Sequence, residues 1–200
     1  MKTEVEEQKV SSVTIAEAVI HEKSDMKLRL SERLAGHQAA RCAAQKAALN
    51  ITDTSVAYFE SGAPFFLNEK SVNLSISHSG KRAVAAVAPH SVGIDIEKIR
   101  NRSETMLTHI CASSELNQAD CLTKDTKLTA LWTIKESVMK AARKGLSWSP
   151  KKVLVLQITS TVEGYESSVK DPEDHIWQVN TIIDPRGYVI SIAIPCQKKK

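Results

Sequence analysis

The chain has 200 residues, of which 42% are hydrophobic and 25% charged. Those proportions are ordinary for a globular protein and exclude a collagen-like, disulfide-scaffold or wholly disordered chain. The net charge of +4 suits an acidic partner or a phosphate-rich ligand but falls short of a nucleic-acid footprint.

The longest apolar run, Ala83 to Ala88, is far short of the roughly 20 residues that a membrane helix needs. The opening MKTEVEEQKV lacks the apolar core of an export signal, so a cytoplasmic location is expected. Cys42, Cys111, Cys121 and Cys196 are scattered without a Cys-x-x-Cys pair, which predicts reduced thiols and no zinc site.

Residues 1–25 are polar and weakly patterned, and Val10 to Ile20 fits either a strand or a short helix. Lys27 to Leu49 is rich in Ala, Leu, Arg and Gln and predicts a helix. Its expected inner face is Leu30, Leu34, Ala40, Ala44 and Ala47, with Asn50 as its stop. A turn region with Gly62 and Pro64 follows. Val72 to Ser77, Ala83 to Ala88 and Val92 to Glu97 then predict three strands, separated by Ser79-Gly80 and Pro89.

Asn101 to Asp120 predicts short helices and loops. Lys124 to Lys144 predicts a second long helix, closed by Gly145. Val153 to Thr159, Ile176 to Ile183 and Tyr188 to Ile194 predict three more strands, with Pro185 and Gly187 turning between the last two. The order predicts an α+β protein of two similar halves, residues 1–100 and 101–200.

The sharpest local feature is Gly93-Ile94-Asp95-Ile96-Glu97. Strand alternation puts Asp95 and Glu97 on one face and Ile94 and Ile96 on the other. Two adjacent carboxylates repel unless a cation lies between them, and Mg²⁺ is held by carboxylates together with substrate phosphates. An amphipathic strand with a wet acidic face is the plainer alternative.

On the second helix, Leu128, Leu131, Trp132, Val138, Met139 and Ala142 form an apolar arc that also contains Lys135. Glu136 and Lys140 flank it one turn apart. One reading is a surface ion pair, with Lys135 extending its ammonium outward. The other is that Glu136 completes a carboxylate cage with Asp95 and Glu97, while Lys135 and Lys140 face an anion.

Ser77 and His78 suggest a nucleophile pair, but strand neighbours point to opposite faces and no Gly-x-Ser-x-Gly elbow is present. Phosphate contacts from His78 and from the backbone or hydroxyl of Ser77 fit better.

The segments SISHSG, VGIDIE and LWTIKESVMKAARKGL, in this order and spacing, resemble the 4'-phosphopantetheinyl transferases of the surfactin-synthetase-activating type. The resemblance runs from about residue 27 to residue 195. It implies two α+β halves in pseudo-twofold arrangement, a monomer, with coenzyme A in the cleft between them. The implied reaction is Mg²⁺-dependent transfer of the 4'-phosphopantetheine arm of coenzyme A to a serine of an apo carrier protein. Adenosine 3',5'-bisphosphate leaves. The mildly basic chain would favour an acidic carrier.

By similarity Asp95, Glu97 and Glu136 take the metal positions, His78 and Ser77 touch coenzyme A phosphates, and Lys140 reaches the pyrophosphate. Glu136, Lys135 or a metal-bound water would take the serine proton. Glu115 matches an acidic residue whose role stays open.

The chain departs from the family at Gly36-His37, where an arginine is usual; Arg33 or Arg41 would substitute. Gly62-Ala63-Pro64 lacks a lysine, and Arg143 replaces a glycine. Two rivals stay open: a Mg²⁺-dependent nucleotide or pyrophosphate hydrolase, and a coenzyme A- or carrier-binding module without turnover.

Overall fold

The computed structural model describes residues 13–20, 28–47, 49, 51–100, 104–119 and 122–196. Asn50, Asp120, Cys121 and the expectations for residues 1–12 lie outside them. The elements in chain order are β1 (Thr14–Val19), α1 (Leu28–Lys46), β2 (Val56–Tyr58), β3 (Pro64–Phe66), β4 (Asn73–Ser79), β5 (Arg82–Ala88) and β6 (Gly93–Lys98). They continue as α2 (Glu104–Ile110), α3 (Ser113–Gln118), α4 (Lys124–Ala141), β7 (Leu154–Ser160), β8 (Tyr165–Lys170), β9 (Ile176–Asp184) and β10 (Tyr188–Pro195).

One sheet has the order β1-β5-β4 and a second β6-β10-β9-β8-β7, while β2 and β3 form a small hairpin. The ambiguous segment before Ile20 is therefore a strand, paired antiparallel with β5. The second half has one strand more than the three expected. Strand β8, from the polar YESSVK, carries too little apolar pattern to stand out, and it pairs with both β7 and β9. Strand β6 pairs with β10, so the acidic strand joins the second sheet rather than the first. A division at residue 100 cuts after that strand, whereas the sheets divide before Gly93.

Helix α1 buries Ala35, Gly36, Ala39, Ala40, Ala43 and Ala44 against the first sheet. Small side chains let the helix axis lie close: a Cβ on Gly36 would stand 2.9 Å from Ile76 Cγ2. Leu30 and Leu34, expected inside, are 56% and 59% exposed. Leu34 lies nine residues before Ala43, about half a turn round the helix at 3.6 residues per turn. The buried alanine arc therefore turns both leucines outward.

Strand β5 is buried on both faces. Ala83, Ala85 and Val87 face α1, and Val84, Ala86 and Ala88 face a core shared with Ile94, Ile96, Tyr188 and Ile192 of the second sheet. That core joins the halves.

Helix α4 covers the other face of the second sheet with Leu128, Leu131, Ile134, Val138 and Met139. It packs tightly on β6 at Gly93, where a Cβ would overlap the Ser137 carbonyl oxygen. The helix ends at Ala141 rather than Lys144, and Arg143 takes the left-handed position (φ +56°) expected of Gly145.

Cys42 and Cys111 are free thiols, and burial pushes that of Cys111 up to about 11. No helix among the described residues is long and apolar enough to cross a membrane.

Candidate active site

The two sheets meet along a seam of side-chain hydroxyls. Ser75, Ser77 and Ser79 alternate along β4, so all three face β6. Their Oγ atoms accept the N–H groups of Ile94 (3.0 Å), Ile96 (3.4 Å) and Lys98 (3.1 Å). The serines thus do what a neighbouring strand's carbonyls would do, and they satisfy an edge that would otherwise bury unpaired donors.

The same hydroxyls orient the acids. Ser77 Oγ donates to Asp95 Oδ1 at 2.7 Å, and Ser79 Oγ donates to Glu97 Oε2 at 3.0 Å. From α4, Lys140 Nζ donates to Asp95 Oδ1 (2.7 Å) and to Ser77 Oγ (2.9 Å). With one proton donated and two bonds accepted, the Ser77 hydroxyl is fully engaged. The expected phosphate contact from that hydroxyl is therefore replaced by a positioning role for Asp95 and Lys140.

Glu136 lies one turn before Lys140, is 9% exposed, and lines the same cleft section. Burial pushes its carboxyl up; Lys140 pulls it down, while Asp95 and Glu97 push it further up. The three acids therefore feel one another across about 40 residues of chain. Among the described residues no three His, Cys, Asp or Glu side chains stand close enough to hold a metal ion as they are. In this arrangement Lys140 is the cation on Asp95 Oδ1, and Asp95 Oδ2 is buried with no hydrogen-bond partner.

Lys135 is elsewhere. It is 0% exposed and donates to Glu115 Oε1 (2.6 Å), to the Pro150 carbonyl (3.1 Å) and to the Val153 carbonyl. Glu115 also accepts the N–H groups of Ala112 (2.6 Å) and Val155 (2.8 Å). Lys135 therefore neither reaches outward nor faces a ligand, because the apolar arc that holds it is buried on this side against β7 and α3. The role left open for Glu115 is the matching charge.

Glu136 and Lys140 open into a space of about 250 Å³ walled by Gly62, Pro64, Asn73 and Ile76. Gly62, Pro64 and Ile76 also wall a neighbouring space of about 430 Å³ lined by Arg29, Arg33, Tyr58 and His78. His78 is on the opposite face of β4 from Ser77, 46% exposed, with Nδ1 3.8 Å from Glu32 Oε1. Arg33 stacks over the Tyr58 ring at 5.0 Å, and the Tyr58 hydroxyl meets His37 Nε2 at 3.0 Å.

Burial, Arg33 and Arg41 together hold the His37 imidazole below its ordinary range. Of the two arginines named from sequence, Arg33 lines the cleft and Arg41, exposed on α1, does not line it. Sequence reasoning missed Arg29 and Tyr58. It also missed the serine seam, although Ser-x-Ser-x-Ser at strand spacing was a usable signal.

This arrangement defines an α+β protein with a carboxylate and lysine cluster at the junction of two sheet-and-helix halves, opening on a cationic cleft. A family model described as the 4'-phosphopantetheinyl transferase superfamily matches residues 91–193. A 4'-phosphopantetheinyl transferase of Bacillus subtilis is 33% identical over 118 residues, 57% of this chain and 53% of that protein. The 4'-phosphopantetheinyl transferase gsp of Aneurinibacillus migulanus is 32% identical over 103 residues, 49% of this chain and 43% of that protein. The 4'-phosphopantetheinyl transferase Sfp of Bacillus subtilis (strain 168) is 30% identical over 102 residues, 50% of this chain and 46% of that protein. The chain thus spans about half the length of the curated relatives it matches. It belongs to the 4'-phosphopantetheinyl transferase superfamily.

Proposed function

We propose that the protein transfers the 4'-phosphopantetheine group of coenzyme A to a serine hydroxyl of an apo carrier protein, releasing adenosine 3',5'-bisphosphate. The observation that carries this reading is the meeting of Asp95, Glu136 and Lys140 at the junction of the halves, beside a cleft that bears Arg29, Arg33 and His78. Membership of the superfamily supports it.

Mg²⁺ fits the residues present. The donors are all carboxylate oxygens, the type this ion takes. Asp95 Oδ2 is a buried acceptor without a partner, and Asp95 and Glu97 both raise the Glu136 carboxyl. Asp95, Glu97 and Glu136 would hold the ion. When bound, it supplies positive charge to the pyrophosphate.

The chain's own groups do the rest. The serine oxygen bonds to the β-phosphorus of coenzyme A as the bond from that phosphorus to the bridging oxygen breaks. The bridging oxygen leaves with adenosine 3',5'-bisphosphate. Lys140, partly exposed to the cleft, offers its ammonium to the charge gathering on the phosphates.

Lys135 is buried on Glu115 and cannot reach the serine proton, whereas Glu136 on the cleft wall is the chain's own group placed to accept it. Arg29, Arg33 and His78 bind the nucleotide phosphates, with Arg33 supplying positive charge beside His37. The reading makes the protein a cytoplasmic monomer, and its +4 charge suits acidic carriers.

Intact-protein mass spectrometry of several apo carriers, incubated with the protein, coenzyme A and Mg²⁺, tests this. The expected result is a phosphopantetheine adduct on at least one carrier, lost with Asp95→Ala or Glu136→Ala in folded protein. Cleavage of coenzyme A without any carrier would mark a hydrolase instead. Coenzyme A binding without an adduct on any carrier would mark a binding module.

A further inference from the structure

Away from the cleft, one arginine is buried where phosphate binding has no use for it. Arg82 opens β5 and is 6% exposed. Its Nε and Nη2 donate, each at 2.6 Å, to the two carboxylate oxygens of Glu17 on β1. Its Nη1 stands 3.0 Å from Asp184 Oδ2 at the end of β9, a charge contact without hydrogen-bond geometry. Its guanidinium lies over the Tyr188 ring of β10, 4.8 Å from the centroid. One side chain thus holds the first sheet to the second.

We propose that Arg82 is a positioning residue for the acid cluster: its clamp at the Glu97 end of the seam sets where the Glu97 carboxylate stands, and so how tightly the cluster holds a divalent cation. The proposal rests on the transferase reading above, which takes Asp95, Glu97 and Glu136 as the holders of the cation.

The contacts form a closed circuit. Arg82 is the register partner of Ser79 across β4 and β5. Ser79 Oγ accepts the Lys98 N–H at 3.1 Å. Lys98 is the register partner of Tyr188 across β6 and β10, and the Tyr188 ring returns to Arg82. Within that circuit Ser79 Oγ donates to Glu97 Oε2 at 3.0 Å. The turn after Ser79 rides on the same ring, for a Cβ on Gly80 would stand 2.8 Å from the Tyr188 hydroxyl oxygen. A shift of Arg82 therefore moves the hydroxyl that aims Glu97. At the other end of the seam Lys140 is tied to both Ser77 and Asp95. Each acid of β6 thus stands beside a cation that spans the halves.

Stability alone does not explain the arrangement. Desolvation offsets much of the attraction within a buried ion pair, and fixing register is the best-attested use of such a pair. The planar guanidinium holds Glu17 by two parallel bonds while its third nitrogen faces Asp184, a geometry that a lysine ammonium does not copy. Arg186 reaches the same two carboxylates from solvent, with its side chain 61% exposed.

The experiment titrates Mn²⁺, an ion that shares the preference of Mg²⁺ for carboxylate oxygens, into the protein alone and reads free Mn²⁺ by electron paramagnetic resonance. Removing the partner of a ligating group costs about 10–100-fold in metal affinity, and Arg82 stands one residue further out. Arg82→Lys should therefore raise the Mn²⁺ dissociation constant about fivefold or more, and the Mg²⁺ needed for half-maximal transfer by a similar factor. Glu17→Gln, on an edge strand with its side chain 30% exposed, loosens the same fork and should give about threefold, which keeps the test decisive if Arg82→Lys does not fold. Arg186→Ala should stay within about twofold, which separates a lowered melting temperature from a lowered cation affinity.

An affinity within about twofold of wild type in the folded Arg82 and Glu17 variants, or a wild type that takes up no Mn²⁺, would overturn the proposal. A protein that shows the Mn²⁺ shifts yet modifies no carrier sinks the transferase reading alone. A wild type that modifies a carrier, with variants that keep its Mn²⁺ affinity, sinks the role of Arg82 alone.

Discussion

Lys135→Met separates a structural lysine from a chemical one. The ammonium is fully buried, and its three partners are Glu115 on α3 and the Pro150 and Val153 carbonyls in the turn before β7. Removing it leaves the 1% exposed Glu115 carboxylate without its counter-charge, although the Ala112 and Val155 N–H groups still donate to it. Breaking one side of a buried pair costs about 3–5 kcal/mol. That is a large share of the roughly 5–15 kcal/mol that holds a typical domain together.

Adding Glu115→Gln removes the stranded charge but keeps an acceptor oxygen for only one of the two N–H groups, which bond different carboxylate oxygens. The double variant should recover part of the loss. Urea unfolding of the wild type, both single variants and the double variant measures the coupling. Transfer activity, normalised to folded protein, should stay within about threefold in the double variant, because nothing in the cleft has changed. A Lys135→Met protein of near wild-type stability that has lost about a hundredfold or more in turnover, the scale of a missing proton-transfer group, would refute the structural assignment.

Ser77→Ala removes the acceptor for Ile96 N–H and Lys140 and the donor to Asp95. It should destabilise by about 1–3 kcal/mol and lower kcat more than it raises KM for coenzyme A, as read by steady-state kinetics; the reverse split would return Ser77 to phosphate binding. Gly93→Ala drives a methyl into the backbone of α4 at Ser137 and Ala141, so it should fail to yield folded protein or lose more than about 3 kcal/mol, checked by thermal melting.

Hydrogen bonds from Arg186 and the charges of Arg82 and Arg186 hold the Asp184 carboxyl well below its ordinary 3.8. A lowered carboxyl stabilises the fold above its unfolded value and loses that contribution as pH falls toward its folded value. Asp184→Asn should therefore flatten the fall of melting temperature below about pH 4, and an unchanged acid limb would remove Asp184 from that clasp.

What was legible from sequence was local and periodic. The alternation in GIDIE places Ile94 and Ile96 at 0% exposure and Asp95 toward α4, as strand geometry requires. The spacing of Glu136 and Lys140 puts both on one cleft wall. What was not legible depended on partners distant in the chain. Lys135 looks alike in a helix wheel whether its ammonium meets solvent, substrate or Glu115, and only the position of α3 decides. The leucines of α1 outrank its alanines in hydrophobicity, yet close approach to Ile76 selects the small residues for the interior. Strand β8 exists because β7 and β9 flank it, not because YESSVK favours a strand by itself.

The position of the site follows from the seam. Strands β4 and β6 face each other without being hydrogen-bonded neighbours in one sheet, so the two sheets part there and leave room between strand ends. A continuous ladder would have closed that gap with backbone atoms. Three serine hydroxyls bridge it instead, and each spare hydrogen of Ser77 and Ser79 is directed at an acid on the opposite half. The bonds that join the halves are therefore the bonds that aim Asp95 and Glu97. Small relative shifts of the two halves would change the separation of the acids from Lys140, since Lys140 is tied to both Ser77 and Asp95. Stability of the junction and geometry of the acid and lysine cluster are one property in this fold, which is why the cleft opens at the junction rather than within either sheet.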